Sequence, residues 1–158
     1  MTEEEQEKLR VALHEAGHAV LAVKFDIRFS YSTIEDEREG VKGVTLLQDP
    51  NSEELANFKS KAVIVALAGK FSDKEFNPNK KGAKDDKDVA YDYIYRYFPE
   101  LDTDDKRMSY FDDCNNEAEK EVEKNMKYIK AIAAQLMIEI KLTEDKVKEI
   151  IEITSSQK

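Results

Sequence analysis

The sequence has few of the residues that build disulfides, phosphate loops or membrane spans. It contains one cysteine, Cys114, which excludes an intramolecular disulfide and favours a reducing, cytoplasmic location. None of its five glycines are spaced as in the phosphate loop G-x-x-x-x-G-K-[ST] of nucleotide-binding proteins. No run of about 18 or more apolar residues occurs, so the sequence predicts no membrane-spanning helix.

Length and charge narrow the class of protein further. The 158 residues are enough for one domain with a real core, which we expect to span residues 1–158. A net charge of −9 argues against binding to nucleic acid or to an anionic membrane surface. The first five residues lack the basic and apolar regions of a signal peptide, so we expect no secretory leader.

The only two histidines lie in one pentapeptide, His14-Glu15-Ala16-Gly17-His18, which has the H-E-x-x-H pattern of zinc peptidases. On a helix, positions i and i+4 share a face, with Cβ atoms roughly 6 Å apart. Two imidazoles at that separation can bind one Zn²⁺, and Glu15 is placed to accept a proton from metal-bound water. The alternative is a surface helix that carries two unrelated histidines.

The residues around the motif predict a buried site. From Val11 to Val23 the helix is apolar on almost every side, which is typical of a core helix. Its first half is acidic, and Thr2 with Glu5 forms a predicted capping box. Buried imidazoles and a buried carboxylate need partners, and a metal ion would satisfy all three together.

The third ligand does not follow from the motif alone. The longer pattern H-E-x-x-H-x-x-G-x-x-H fails, because Leu21 and Lys24 replace the glycine and the third histidine. Cys114 lies in a polar segment, and Glu35, Glu37 and Glu39 fall in a strand-like and turn-like stretch. We therefore expect an acidic ligand further along the chain.

A helix predicted over residues 84–98 offers such ligands in its first turn, where the helix dipole favours an ionised carboxylate. Asp85, Asp86 and Asp88 all lie there, and acidic residues are also common at helix starts without any metal. The local sequence does not choose among the three.

Five segments, in order along the chain, resemble the peptidase domain of FtsH-type ATP-dependent zinc proteases. They are residues 11–20, 43–47, 62–70, 82–90 and 142–147, and they include the H-E-x-x-H helix, an edge strand and a Gly-Ala-x-x-Asp segment. The resemblance implies a zinc metalloendopeptidase in which Asp86 is the third ligand. Asp85, at a position where the family usually has Asn, is the runner-up.

The same resemblance implies a substrate and a way of binding it. Gly43, Val44, Thr45 and Leu46 would bind an extended or unfolded peptide by adding it to the sheet edge; ordinary sheet packing is the alternative. The ATPase and the membrane segment of the family are not found in this sequence. We therefore expect substrates that are already unfolded, or delivery by a separate ATPase partner.

Two other functions remain open at this point. One is a non-catalytic, regulatory relative that binds zinc and peptide, although such a site has no need of the general base Glu15. The other is a hydrolase of a small non-peptide amide, which the size of the pocket would decide.

Periodicity, caps and breakers predict a mainly α-helical, zincin-type domain with a small β-hairpin or sheet beside the HExxH helix. The alternating run 91–98 is taken as helix because it follows Asp86. The predicted helices cover residues 2–25, about 51–69, 84–98, 112–141 and 143–153, and the predicted strands cover 28–35 and 41–48 around a charged turn through Gly40.

Overall fold

The computed structural model describes residues 1–35 and 42–157, so the predicted turn through Gly40 lies outside the described residues. It confirms a mainly helical fold with a small antiparallel sheet. The helices are α1 (Glu3–Lys24), α2 (Leu55–Ala66), α3 (Gly69–Ser72), α4 (Ala83–Tyr97), α5 (Asp104–Lys124), α6 (Met126–Glu139) and α7 (Glu144–Ser156). The strands are β1 (Phe29–Thr33), β2 (Val44–Leu47) and β3 (Lys141–Thr143).

Helix α1 forms the centre of the domain. Its first turn is acidic, and Thr2 and Glu5 make the predicted capping box. From Arg10 to Ala22 every residue is buried, against α6 along one side and against α2, α3, α7 and β1 elsewhere. The predicted contrast between a solvated first half and a buried second half is confirmed, so the H-E-x-x-H residues lie in the interior.

The sheet lies beside α1 and has the strand order β2-β1-β3, with both pairs antiparallel. The predicted hairpin pairs as expected, with Phe29 opposite Leu47 and Thr33 opposite Val44. Strand β3 was not predicted, and it pairs with the other side of β1. Strand β2 is therefore an edge strand, paired with β1 on one side only among the described residues.

Two predicted helix boundaries were wrong. The helix expected to end at Gly69 ends at Ala66, and Gly69 instead begins the short helix α3. The single helix expected over 112–141 is two helices, which meet at Asn125. The Asn125 side chain donates to the Glu121 carbonyl at 2.7 Å, and the Asn125 backbone N–H bonds to the same carbonyl, so Asn125 caps the end of α5.

The start of α5 was also wrong, because the helix begins at Asp104, eight residues before the predicted start. Thr103 caps it: its side chain accepts a hydrogen bond from the Lys106 backbone N–H. The remaining helices begin and end close to their predicted limits, and the alternating run 91–98 is helical up to Tyr97, as expected. Within the described part of the chain, no helix is long and apolar enough to cross a membrane.

Candidate metal centre

Side chains from two helices converge on one point. His14 and His18 project from the buried half of α1, and Asp86 projects from the first turn of α4. Asp86 Oδ2 lies 2.9 Å from His14 Nε2 and 3.3 Å from His18 Nε2. Asp85, one residue earlier, is exposed, as is Asp88. Of the three acidic candidates, the structure thus brings Asp86 to the histidines.

The distances within this cluster are compatible with one bound metal ion. Asp86 Oδ2 is buried and has no hydrogen-bond partner among residues 1–35 and 42–157, so neither contact with a ring nitrogen has hydrogen-bond geometry. Two ligand atoms that are each about 2.0–2.1 Å from a tetrahedral zinc are about 3.4 Å apart. The three candidate ligand atoms lie within 4.8 Å of one another, which is compatible with one shared ion.

The outer nitrogen of each imidazole is already engaged. His18 Nδ1 lies 2.7 Å from the carbonyl oxygen of Val65, which can only accept, so this nitrogen carries the proton. His14 Nδ1 lies 3.0 Å from Asp73 Oδ2, a carboxylate acceptor. In a neutral ring whose proton is on Nδ1, the Nε2 atom presents a lone pair toward Asp86 Oδ2. Such lone pairs are available to a metal ion, whereas an imidazole that carries a second proton donates it toward the Asp86 carboxylate.

Asp73 was not identified from the sequence, although it organises this side of the site. It is fully buried, and its Oδ2 also accepts hydrogen bonds from Arg10 at 3.2 Å and from Asn77 at 3.0 Å. Arg10 and His14 are four residues apart on α1, so one acidic side chain can reach both. That spacing was a usable signal, but it does not say which of the many acidic residues is the partner.

Two glycines allow the chain to pass close to the His14 ring. A Cβ at Gly69 would lie 2.3 Å from His14 Nε2, and a Cβ at Gly82 would lie 3.0 Å from its Cε1. Gly82 also has a φ of +83°, which favours glycine. Gly69 was predicted to stop a helix, but the structure gives it this different reason: no side chain fits there.

The histidines and the acidic residues of the cluster shift one another's pKa values. Burial lowers the pKa of His14, but its contacts with Asp73 and Asp86 outweigh burial and raise that pKa to about 10. The pKa of His18 is also raised, because the Asp86 charge outweighs burial. Burial raises the pKa of Asp86, but the two histidines lower it overall. A divalent cation would compete with protons for the same nitrogen lone pairs.

Glu15 is next to His14 in the sequence, and its carboxylate is hydrogen-bonded to strand β2. Its side chain is buried, and Oε1 lies 3.0 Å from the hydroxyl of Thr45 on β2. Burial is the largest influence on Glu15 and raises its pKa, so its affinity for a proton is greater than that of an exposed glutamate. A carboxylate with a raised pKa suits a general base that works near neutral pH.

Three of the four residues predicted to bind substrate lie in strand β2, and the fourth precedes it. Val44, Thr45 and Leu46 lie in the edge strand β2 and are partly buried, and Gly43 precedes that strand. A Cβ at Gly43 would lie 3.0 Å from Glu15 Cγ. Thr45 therefore contacts Glu15 directly and Gly43 lies close to it, which the sequence did not indicate.

The small-amide alternative depends on a pocket at the site, but one cavity of the described structure lies away from the predicted site residues. It has a volume of about 210 Å³ and contains none of the residues predicted for the site. Its apolar lining includes Leu13, Phe71, Phe76, Val122 and Met126.

A comparison with protein-family models finds no match for this chain, and a comparison with curated proteins also finds no match.

Proposed function

We propose that this chain is a zinc-dependent metalloendopeptidase of the FtsH type that hydrolyses unfolded or extended polypeptides. The observation that carries the proposal is the convergence of His14 Nε2, His18 Nε2 and Asp86 Oδ2 with Glu15 beside them. Three protein ligands that leave a coordination position open are typical of catalytic rather than structural zinc. The ordered resemblance of five segments supports the same function.

The residues divide the chemistry as follows. When bound, zinc supplies a Lewis acid that polarises the scissile carbonyl and lowers the pKa of a water molecule to about 7. Glu15 accepts a proton from the attacking water and passes it to the leaving amine. Asp73 and the Val65 carbonyl hold the two imidazoles in the tautomer that offers Nε2 to the metal.

The proposed substrate class depends on strand β2. The backbone N–H of Gln48 donates to the Arg28 carbonyl, next to β1, so the main-chain groups of Gln48 face β1. Neighbouring residues of a strand direct their main-chain groups to opposite sides. Leu47 and Thr45 would then direct theirs to the open edge, where an extended peptide can pair with them. Main-chain pairing of this kind requires an unfolded segment and selects weakly among side chains.

The test combines metal analysis with hydrolysis of casein in the absence of ATP. We expect about one zinc per chain and measurable cleavage by the wild type. Glu15→Gln keeps the size of the side chain and removes its basicity, so zinc content should stay unchanged while cleavage falls by at least about 10²-fold. Glu4→Gln on the exposed start of α1 is the matched control and should cleave like the wild type.

Each other outcome has a defined meaning. Equal cleavage by the wild type and Glu15→Gln would show that the activity belongs to a contaminant or uses another base. Full zinc and peptide binding without any cleavage by the wild type would favour the non-catalytic, regulatory alternative. Absence of zinc from a protein prepared without chelator and then dialysed against zinc would reject the metal site itself.

A further inference from the structure

The general base is held by a chain of two hydroxyl groups. Thr45 Oγ1 lies 3.0 Å from Glu15 Oε1, and Ser32 Oγ lies 2.8 Å from Thr45 Oγ1. Ser32 and Thr45 are direct cross-strand partners in the β1–β2 ladder, and Ser32 is fully buried. We propose that Ser32 and Thr45 position the Glu15 carboxylate for proton transfer, an inference that rests on the proposed function.

The protons of this chain have one arrangement that satisfies every group. Thr45 has a single hydroxyl proton and two acceptors in reach, Glu15 Oε1 at 3.0 Å and the Glu15 main-chain oxygen at 3.1 Å. The main-chain oxygen lies within helix α1, where the ladder already supplies a donor. The carboxylate is the stronger acceptor. Thr45 therefore donates to the carboxylate, and Ser32 donates to Thr45.

The other carboxylate oxygen has a different neighbour. A Cβ at Gly43 would lie 3.1 Å from Glu15 Oε2, so the lack of a side chain at Gly43 leaves space beside this oxygen. The hydroxyl of Thr45 bonds to one oxygen, and the other accepts no hydrogen bond from the described residues. This asymmetry is what a general base requires, because one oxygen must remain available for the proton that it accepts.

The position of Thr45 connects substrate binding to this carboxylate. Its side chain turns to α1, while its main chain belongs to the strand proposed to pair with the peptide. A peptide that pairs with β2 is thereby held in a fixed relation to Glu15. We expect the hydroxyl to act on the chemical step rather than on affinity, because peptide pairing uses the main chain.

The test uses Thr45→Val, which keeps the shape of the side chain and removes the hydroxyl. Misplacement of a catalytic group lowers the rate of the chemical step, so kcat should fall by about 10- to 100-fold with little change in KM. Zinc content should remain at the wild-type level. Thr45→Ser restores the hydroxyl and should recover most of the kcat, and Ser32→Ala should give a smaller loss than Thr45→Val.

Thr33→Val is the matched control. Thr33 is a buried threonine beside Ser32, and its hydroxyl donates to the Ile140 carbonyl at 3.0 Å, away from Glu15. Its replacement removes a comparable buried hydrogen bond, so it should lower the urea midpoint without lowering kcat. If Thr33→Val lowers kcat as much as Thr45→Val does, the effect is general destabilisation and the proposal is wrong.

A second readout does not depend on catalysis. In metal-free protein, Thr45→Val should shift the urea midpoint more when residue 15 is Glu than in a Glu15→Ala background, because only the former breaks the hydrogen bond. Thr33→Val should shift the midpoint equally in both. Equal shifts for Thr45→Val in the two backgrounds would overturn the proposed contact.

The outcomes also separate this inference from the proposed function. If the wild type does not cleave peptides, the proposed function fails, and the midpoint comparison still decides whether Thr45 holds Glu15. If the wild type cleaves and Thr45→Val retains its kcat, the hydroxyl chain has no positioning role. A raised KM with unchanged kcat would assign Thr45 to substrate binding alone.

Discussion

Replacing Gly17 by alanine tests how closely α1 and α3 approach each other. A Cβ at this position would lie 1.9 Å from Ser72 Oγ and 2.7 Å from Ser72 Cβ. Non-bonded carbon atoms are normally about 3.5–4.0 Å apart. Rotation of the serine side chain moves its Oγ but leaves its Cβ in place, so relief of the clash requires the two helices to move apart.

Two opposing effects determine how much Gly17→Ala changes the free energy of unfolding. In the middle of a helix, alanine is favoured over glycine by about 1 kcal/mol. Overpacking of a closely packed contact costs about 1–3 kcal/mol, and this contact involves the Cβ of a buried serine rather than a flexible side chain. Taking the upper end of that range, we expect Gly17→Ala to lower the free energy of unfolding by about 2 kcal/mol. For a domain of this size that corresponds to a fall in Tm of about 4–8 °C.

The assay is urea unfolding of a double-mutant series. Ser72→Gly removes both atoms nearest to the added Cβ and leaves the Ala68 carbonyl oxygen at 3.3 Å. In the wild-type background Ser72→Gly should destabilise the protein, because its Oγ donates to the Ala68 carbonyl at 2.9 Å. In the Gly17→Ala background the same change should stabilise it. This reversal of sign is the expected signature of a steric contact.

A result opposite in sign would refute this reasoning. If Gly17→Ala raises the free energy of unfolding by about 1 kcal/mol, helix propensity alone governs the position and the close approach is absent. If Ser72→Gly destabilises both backgrounds equally, the cost of alanine arises somewhere other than Ser72. Zinc retention adds a further readout, because Gly17 adjoins His18 and Ser72 adjoins Asp73.

Two further predictions concern other residues. Asp86→Ala should weaken zinc retention far more than Asp85→Ala, because only Asp86 lies beside the histidines; metal analysis after dialysis checks this, and the reverse order would move the third ligand. Cys114 is buried, and burial raises the pKa of its thiol, so Ellman's reagent should react slowly with the native protein and quickly in urea. Fast reaction of the native protein would contradict the packing around α5.

Much of the fold followed from local patterns that the tertiary structure preserves. The cap at Thr2, the apolar second half of α1 and the hairpin all rest on interactions within a few residues or on strong periodicity. Strand β3 was missed because three residues are too short to show an alternation. The break at Asn125 was missed because apolar residues continue at helical spacing on both sides of it.

The candidate site was predictable to a different degree. His14, Glu15 and His18 form a local motif, so the shared helix face of the two histidines was evident from the spacing. Asp86 needed the family resemblance, since Asp85 and Asp88 are equally suited to a helix start. Asp73 had no local signature, because 59 residues separate it from His14 along the chain. Long-range partners of this kind become visible only when the fold brings α3 against α1.

The segment 65–73, from the end of α2 to the residue after α3, has two tasks, and both depend on the same backbone. Its apolar residues pack against α1, while the Val65 carbonyl and Asp73 fix the orientation of the imidazoles. A small change in the distance between α1 and α3 therefore alters the core and the proposed metal ligands together. Substitutions such as Gly17→Ala, which leave every ligand in place, are expected to change metal affinity through this coupling.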